Sequence, residues 1–253
     1  MNARRLFGAL IAAGTLLGGP LTSFVQAQER QPIYPAYDGF LKNPDGSYTI
    51  AFAYFSHNSD VVTVPAGAAN AFTPGGGDRM QPTSFKPGHW RFQCVMVMPP
   101  DFDGKMTWTL DYGGAKTGTS QNMLQSNWFL VEGAEELSRI DYARAPKGVC
   151  LNRAPAVRVL GANRKDGTEV LGTVGAVGAS ESLFGSVNDE GLPRGSALKA
   201  SWKQVSGPGP ARFENANSAR THVVYPAAGA YVFELTGTDG ALTASRRVTV
   251  HVK

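Results

Sequence analysis

The residues best suited to bind a ligand in this sequence are carboxylate and amide side chains in three predicted loops near its end. Oxygen donors of this kind are what calcium takes, about six to eight at a time. They are Asn188, Asp189, Glu190, Glu214, Asn215, Asn217 and Asp239. Two interpretations follow: a calcium site formed by Asn188, Asp189 and Asp239, or solvated turns in which Asp and Asn only support the backbone. No other cofactor is indicated.

The histidines give little support for catalysis, because they are scattered and no nucleophile motif accompanies them. They are His57, His89, His222 and His251. Neither G-x-S-x-G nor H-E-x-x-H occurs, so the hydrolase and zinc-peptidase patterns are missing. One pair remains a candidate for a functional site: His57 and His89 would lie at the rim of the first domain, near Asp60 and Asp78. Enzyme activity stays an open question, with a non-catalytic protein favoured and no catalytic residue assigned.

The chain has two cysteines, Cys94 and Cys150. In an oxidising compartment such a pair is more often bridged than free. We therefore predict a disulfide between Cys94 and Cys150, which would tie the segment after the first domain to a strand of that domain. A catalytic thiol is the weaker alternative, because no histidine lies in a suggestive context.

The start of the chain predicts export. Arg4 and Arg5 precede an apolar run at residues 6–17, and Val25-Gln26-Ala27 then places small residues where a signal peptidase cleaves. The apolar run is too short for a membrane span, which needs roughly 20 residues. The sequence thus predicts a cleaved signal peptide at residues 1–27, a mature form without a transmembrane anchor, and a periplasmic or secreted location.

Composition favours an all-β protein. The chain contains 30 Gly and 16 Pro, and short β-branched and aromatic runs recur between turn-forming residues. We predict two β-sandwich domains, at residues 28–131 and 154–253, joined by a connector at residues 132–153. Within the first domain, residues 72–88 are predicted to form an extended loop that crosses the sandwich.

Large aromatic side chains are numerous in the first domain, and most are assigned to its core. Residues 89–98 alternate as a strand does, which predicts one core face made of Trp90, Phe92, Cys94, Met96 and Met98. The domain nevertheless holds more aromatics than a core of its size requires, so a platform of exposed rings that stacks on sugars or grips a protein is an alternative role. The candidates for such a platform are Tyr34, Tyr37, Tyr54, Trp90 and Trp128.

The last third of the chain carries an ordered set of motifs. Trp202 lies in the middle of a predicted strand, residues 229–235 read GAYVFEL, and Thr238-Asp239-Gly240 forms the next turn. Together with residues 186–193 and 202–209, these motifs closely resemble the PKD-like and related bacterial immunoglobulin-like modules of exported proteins. The resemblance is specific for fold and silent on chemistry, because this fold serves many functions.

This resemblance implies an immunoglobulin-like sandwich with two structural residues. Trp202 would be buried between the sheets, and the hydroxyl of Tyr231 would tie down the corner before its strand. The B–C, D–E and F–G loops would meet at one end of the domain, which would bring the candidate calcium ligands together. Strands B and F lack the cysteines of antibody domains, and Phe184 and Leu235 are predicted to fill that space.

A second set of motifs lies in the first domain, at residues 40–47, 81–85, 98–102 and 107–110. In these motifs the domain resembles uncharacterised secreted bacterial proteins that pair it with a C-terminal immunoglobulin-like domain. The resemblance implies an architecture and no known activity.

The function predicted from the sequence is that of an exported, non-catalytic β-sandwich protein. It would bind a protein or glycan partner in the cell envelope, or act as a spacer there. Nucleic acid is excluded as a partner, because the formal charge is only +4 and no Lys/Arg stripe occurs. The alternative is an accessory subunit or a metal-dependent enzyme with a site at the domain junction.

Overall fold

The structure, a computed structural model, describes residues 29–119, 122–130, 137, 140–165, 168–174 and 176–253. The predicted signal peptide lies outside the described residues, as does part of the predicted connector. Strands dominate the described part, and the prediction of an all-β fold with two sandwiches is confirmed. The boundary at residue 154 stays a prediction; the first strand of the second sandwich begins at Ala156.

In chain order, the strands of the described part are β1 (Ile33–Lys42), β2 (Tyr48–Ser56), β3 (Val62–Thr63), β4 (Asn70–Thr73), β5 (Ser84–Phe85), β6 (Gly88–Met98), β7 (Thr107–Tyr112), β8 (Ala115–Gly118), β9 (Ala156–Val159), β10 (Ala162–Lys165), β11 (Thr168–Val174), β12 (Ser180–Asn188), β13 (Lys199–Ser206), β14 (Arg212–Phe213), β15 (Arg220–Val224), β16 (Gly229–Thr238) and β17 (Thr243–Val252). A short 3-10 helix covers Ser126–Trp128.

The first sandwich packs the antiparallel sheet β1-β2-β6 against the antiparallel sheet β4-β7-β8. Alternating apolar residues on β2 and β7 face inward, as the two-residue period of a strand requires. Aromatic rings fill the space between the sheets: Phe72 stacks on Trp108 with ring centroids 5.5 Å apart, and Phe52 meets Phe72 edge to face at 4.9 Å. Rings in these geometries attract each other beyond simple area burial.

Buried Asn70 organises the segment around residues 72–88, for which the sequence predicts an extended loop. Its amide nitrogen donates to the carbonyls of Val64 and Pro82, and its side-chain oxygen accepts from the indole of Trp108 at 2.9 Å. The side chain of Gln81 in turn donates to the carbonyl of Asn70. These bonds satisfy polar groups that would otherwise be buried unpaired, and they hold β4 and β5 where the sequence indicated only a crossing loop.

The second sandwich is immunoglobulin-like. A five-stranded sheet, β10-β11-β17-β16-β13, faces a four-stranded sheet, β14-β15-β12-β9. Strand β11 runs parallel to β17, whereas the other pairs are antiparallel. Trp202 is 3% exposed between the sheets. The hydroxyl of Tyr231 donates to the carbonyl of Ala227 at 2.9 Å, so it ties the connection between β15 and β16 to the strand that follows.

Two predictions about side-chain direction are wrong. Phe92 has a positive φ of 53° within a bulge of β6, so it leaves the core face and packs beside Ala51 and Val95 on the other side of the sheet. A bulge inserts residues that break the two-residue period. Phe184 is 42% exposed, and the neighbouring Leu183 occupies the core instead, because adjacent strand residues face opposite ways.

The disulfide between Cys94 and Cys150 is present. It fastens the connector to β6, and two backbone bonds continue the attachment: the amide of Gly148 donates to Val97, and the amide of Leu151 donates to Val95. The connector therefore follows the free edge of β6 and satisfies part of that edge.

We predict that removing the disulfide destabilises the first sandwich. The bridge spans 56 residues, and closing a loop of that size stabilises the fold by about 4 kcal/mol in the chain-entropy model. The Cys94→Ala/Cys150→Ala double variant should therefore unfold at lower urea concentration than the oxidised protein, and reduced protein should behave like the variant. Equal midpoints for oxidised and reduced protein would contradict this assignment.

Candidate functional site

The two sandwiches meet at the B–C loop, residues 189–198 between β12 and β13, which inserts an apolar residue into the first sandwich. Leu192 is 4% exposed and belongs to the apolar cluster that forms the core of the first sandwich. Burying a leucine side chain stabilises by roughly 1.5–3 kcal/mol. The second sandwich thus contributes a residue to the core of the first.

An ion pair flanks Leu192 on its C-terminal side. The guanidinium of Arg194 binds both carboxylate oxygens of Asp78, with one bond of 2.8 Å, and it also donates to the carbonyl of Gln81. The hydrogen bonds from Arg194 lower the pKa of Asp78. Asp78 ends the glycine-rich stretch at residues 74–78 of the first sandwich. The B–C loop therefore contacts the first sandwich at this stretch.

A second charged contact flanks Leu192 on its N-terminal side. Glu190 is 7% exposed and accepts the backbone N–H of Arg153 at 2.7 Å, with the Arg153 guanidinium 3.4 Å from its other oxygen. That guanidinium also donates to the carbonyl of Phe92. Burial raises the pKa of Glu190 to about 7, against the opposing effect of Arg153. The B–C loop is thereby connected to the bulge in β6.

Asp38 holds the same bulge from the other edge of the sheet. Its carboxylate accepts from the backbone N–H of Phe92 at 2.7 Å and from Arg91 Nε at 2.9 Å. Asp38 lies on β1, so the carboxylate reaches across β2, where Ala53 is fully buried and small. Phe92 is therefore fixed through its N–H by Asp38 and through its carbonyl by Arg153.

The candidate calcium ligands are only partly brought together. The carboxylate of Asp239 lies close enough to Asp189 to help raise the pKa of Asp189, for which burial is the larger cause. One oxygen of Asp189 accepts a single backbone N–H, one oxygen of Asp239 accepts two, and the other oxygen of each is buried without a hydrogen-bond partner. The amide nitrogen of Asn188 donates to Ser186. Within the described residues, no group of three or more His, Cys, Asp or Glu is arranged to hold a metal.

The D–E loop, residues 214–219, does not join these aspartates. Its carbonyls at Ala216 and Ala219 accept from the backbone of Trp202 and Gly185, which lie in the middle of β13 and β12. The aspartates lie beyond the ends of those strands. The carboxylate of Glu214 pairs instead with His222 Nδ1 at 2.9 Å. Of the three loops expected to meet, only the B–C and F–G loops therefore lie near each other. The D–E loop instead folds over the side of the sandwich.

The five candidate platform aromatics differ in exposure, and most of them are not available at the surface. Tyr37 and Tyr54 are buried, with 7% and 1% exposure, and Trp90 and Trp128 are half-buried. Burial raises the pKa of Tyr54 to about 12, and its hydroxyl accepts the backbone N–H of Lys86. Tyr34 alone of the five is exposed, at 44%.

A different set of exposed rings, here called the aromatic row, occupies the outer face of sheet β1-β2-β6. It consists of Tyr34, Phe55, His57 and His89. The centroid of His57 lies 5.4 Å from Tyr34 and 4.6 Å from Phe55, and Phe55 lies 6.3 Å from His89. The two histidines thus lie on either side of Phe55, and Asp78, expected near them, pairs with Arg194 instead. Sequence reasoning missed Phe55, although its alternation with buried Tyr54 and Ser56 marks it as outward-facing.

Comparison with known proteins concerns mainly the second sandwich. The family model described as "K319L-like, PKD domain" matches residues 173–252. The solution structure of the PKD domain from KIAA 1837 protein is 26% identical, with 32% of this chain and 92% of that chain covered and a TM-score of 0.22. The C-terminal sandwich is therefore a PKD-like domain, as the motifs around Trp202 and Tyr231 predicted.

Two further solved structures align over most of the chain at low similarity. The D00-D0 domain of Intimin is 10% identical, covering 87% of this chain and 99% of that one, with a TM-score of 0.29. Drosophila N-cadherin EC1-3 is 11% identical, covering 87% of this chain and 67% of that one, with a TM-score of 0.29.

Among the residues that the structure describes, no helix is both long and apolar enough to cross a membrane.

Glu190 predicts a specific pH dependence of stability. Its pKa rises from an ordinary 4.5 to about 7 in the folded protein, so the folded state binds a proton more tightly than the unfolded state. The stabilisation is complete below pH 4.5 and is lost as the pH rises towards 7, by an amount on the order of 3 kcal/mol.

The measurement is the free energy of urea unfolding between pH 4.5 and 8. In Glu190→Gln the decrease over this range should be smaller than in the unaltered protein, whereas Glu181→Gln serves as the matched control. A Glu190→Gln variant with the same pH profile as the unaltered protein would count against this role of Glu190.

Proposed function

We propose that this protein is an exported, non-catalytic module that binds a protein or glycan partner in the cell envelope and holds it at a defined distance. PKD-like and immunoglobulin-like sandwiches occur in binding and spacer modules, although the fold alone does not set the function. The observation that carries the proposal is the junction: Leu192 is buried in the first sandwich between two charged contacts. A junction of this kind transmits orientation from one domain to the other.

The alternative, an accessory subunit or enzyme with a metal at the domain junction, has less support. The junction carboxylates are Asp78 and Glu190, and each is engaged by an arginine. A carboxylate that neutralises a guanidinium is poorly placed to ligate a metal at the same time.

A second candidate role is calcium binding by the PKD-like domain. The observation that favours it is the pair of buried, unpartnered oxygens on Asp189 and Asp239. An unpaired buried oxygen is costly, and a hard cation would satisfy both at once. Asn188 would add its amide oxygen, and backbone carbonyls or water would complete the coordination.

The proposed binding role is tested by capture from a bacterial cell-envelope extract on the immobilised protein, with and without EDTA. We expect a retained partner in both cases. The partner is then titrated against the unaltered protein and against Leu192→Ala/Arg194→Ala, in which the loosened junction should weaken binding because orientation must be ordered on association. Recovery of no partner, together with metal retained in the purified protein, would contradict the proposal.

The calcium role predicts a rise in melting temperature. At 10 mM calcium, a site with the millimolar to submillimolar affinity of extracellular modules stabilises by about 2 kcal/mol, or roughly 5 °C for a protein of this size. Asp239→Asn should abolish the shift, and the exposed Asp111→Asn should retain it, as measured by calorimetry. An equal shift in Asp239→Asn would place any calcium elsewhere.

A further inference from the structure

We propose that the aromatic row on the first sandwich binds a neutral glycan chain built of β-linked pyranoses. This inference rests on the proposed function and names the chemistry of its partner.

The row is built into the sheet register. Tyr34 on β1 lies directly opposite Phe55 on β2, and Phe55 lies directly opposite His89 on β6. Three outward-facing rings therefore cross the sheet side by side, and His57 closes the gap between the first two. Successive strands are about 4.8 Å apart, a spacing comparable to the length of one pyranose. A glycan lying across the strands would meet the rings in turn. Because His57 is edge-on to Tyr34, at 82°, and steeply tilted to Phe55, at 61°, the sugars would contact ring edges as well as ring faces.

The polar atoms of the row identify an amphipathic ligand. In the described part of the protein, the hydroxyl of Tyr34 and the imidazole nitrogens of His57 and His89 have no hydrogen-bond partner. Tyr34 and Phe55 are 44% and 39% exposed, so apolar ring surface and free polar atoms alternate along the row. A pyranose presents C–H groups on its faces and hydroxyls around its edge, and it satisfies both. An apolar peptide would leave the ring nitrogens unpaired at a cost.

The charges beside the row favour a neutral ligand. The nearest charged side chain on the same strand as His89 is Arg91, whose guanidinium is paired with Asp38 at 2.9 Å. Asp38 is itself mostly buried and satisfied by the backbone of Phe92. The pair therefore compensates the charge that lies nearest to His89 along β6.

The rest of this sheet face is already covered. Leu130 and Leu137 pack on Ala51 and Val95, so the described residues after β8 close one half of the face. The row occupies the remaining half, above the buried side chains of Ile33, Tyr54 and Ser56. Its backbone is therefore held by the core beneath, and little ordering is required when a ligand binds.

The test measures binding of three probes to the full protein by calorimetry: a β-1,4-linked glucose hexamer, a β-1,4-linked N-acetylglucosamine hexamer and a polyuronate hexamer. We expect at least one neutral hexamer to bind. Tyr34→Ala/Phe55→Ala should weaken that binding at least tenfold, and His57→Gln should weaken it less. Phe184→Ala, which removes an equally exposed ring from the PKD-like domain, should leave it unchanged. The melting temperatures of all variants are compared first, to show that each is folded.

The proposal is overturned if neither neutral hexamer binds, if only the polyuronate binds, or if the double variant binds as tightly as the unaltered protein. The envelope capture separates this failure from failure of the proposed function. A partner that is captured equally by the double variant would leave the binding role intact and remove the row from it. A protein partner lost in the double variant, with no hexamer bound, would make the row a protein-binding surface and refute the glycan assignment.

Discussion

Burial of Leu192 in the core of the first sandwich is the contact on which the arrangement of the two domains depends. The residue lies in a loop with a charged side chain two positions away on either side, so inserting it carries Glu190 and Arg194 into the junction. Charges that lose water must find partners, and Arg153 and Asp78 supply them. The apolar contact and the two ion pairs therefore form together. Removing any one of them weakens the other two, because each contact holds the groups of the others in position.

The junction also reaches the outer face of the first sandwich. Arg153, held by Glu190, donates to the carbonyl of Phe92, and Asp38 binds its N–H. The left-handed backbone of Phe92 is costly for a residue with a side chain, and these two contacts hold it in place. The bulge lies three residues from His89, so the contact between domains and the aromatic row share one strand. The domain junction and the aromatic row are therefore connected through β6.

Local patterns predicted much of the fold. The PKD-like fold of the second sandwich and the place of Tyr231 followed from motif order. The Cys94–Cys150 bridge followed from a single cysteine pair in a chain predicted to be exported. The two-residue alternation of a strand failed at Phe92, because it holds only while the register is unbroken. Applied to β2, the same alternation would have identified Phe55 as outward-facing. The candidate calcium residues show the limit at the level of loops: Asp189 and Asp239 do approach each other, whereas Glu214 follows a loop whose path depends on carbonyl contacts with β12 and β13.

The sequence by itself determined that the protein is all-β and that its C-terminal sandwich is PKD-like, because both depend on short-range periodicity and on recognisable turns. Its single pair of cysteines determined which bridge can form. Only the tertiary structure decided that Leu192 is a core residue, since a leucine between charged neighbours in a loop has the sequence signature of an exposed turn. It also decided that Phe92 leaves the core face of β6, at a bulge held by Asp38 and Arg153. Both outcomes arise from packing between segments far apart in the chain, where no local pattern reports which surface will be covered.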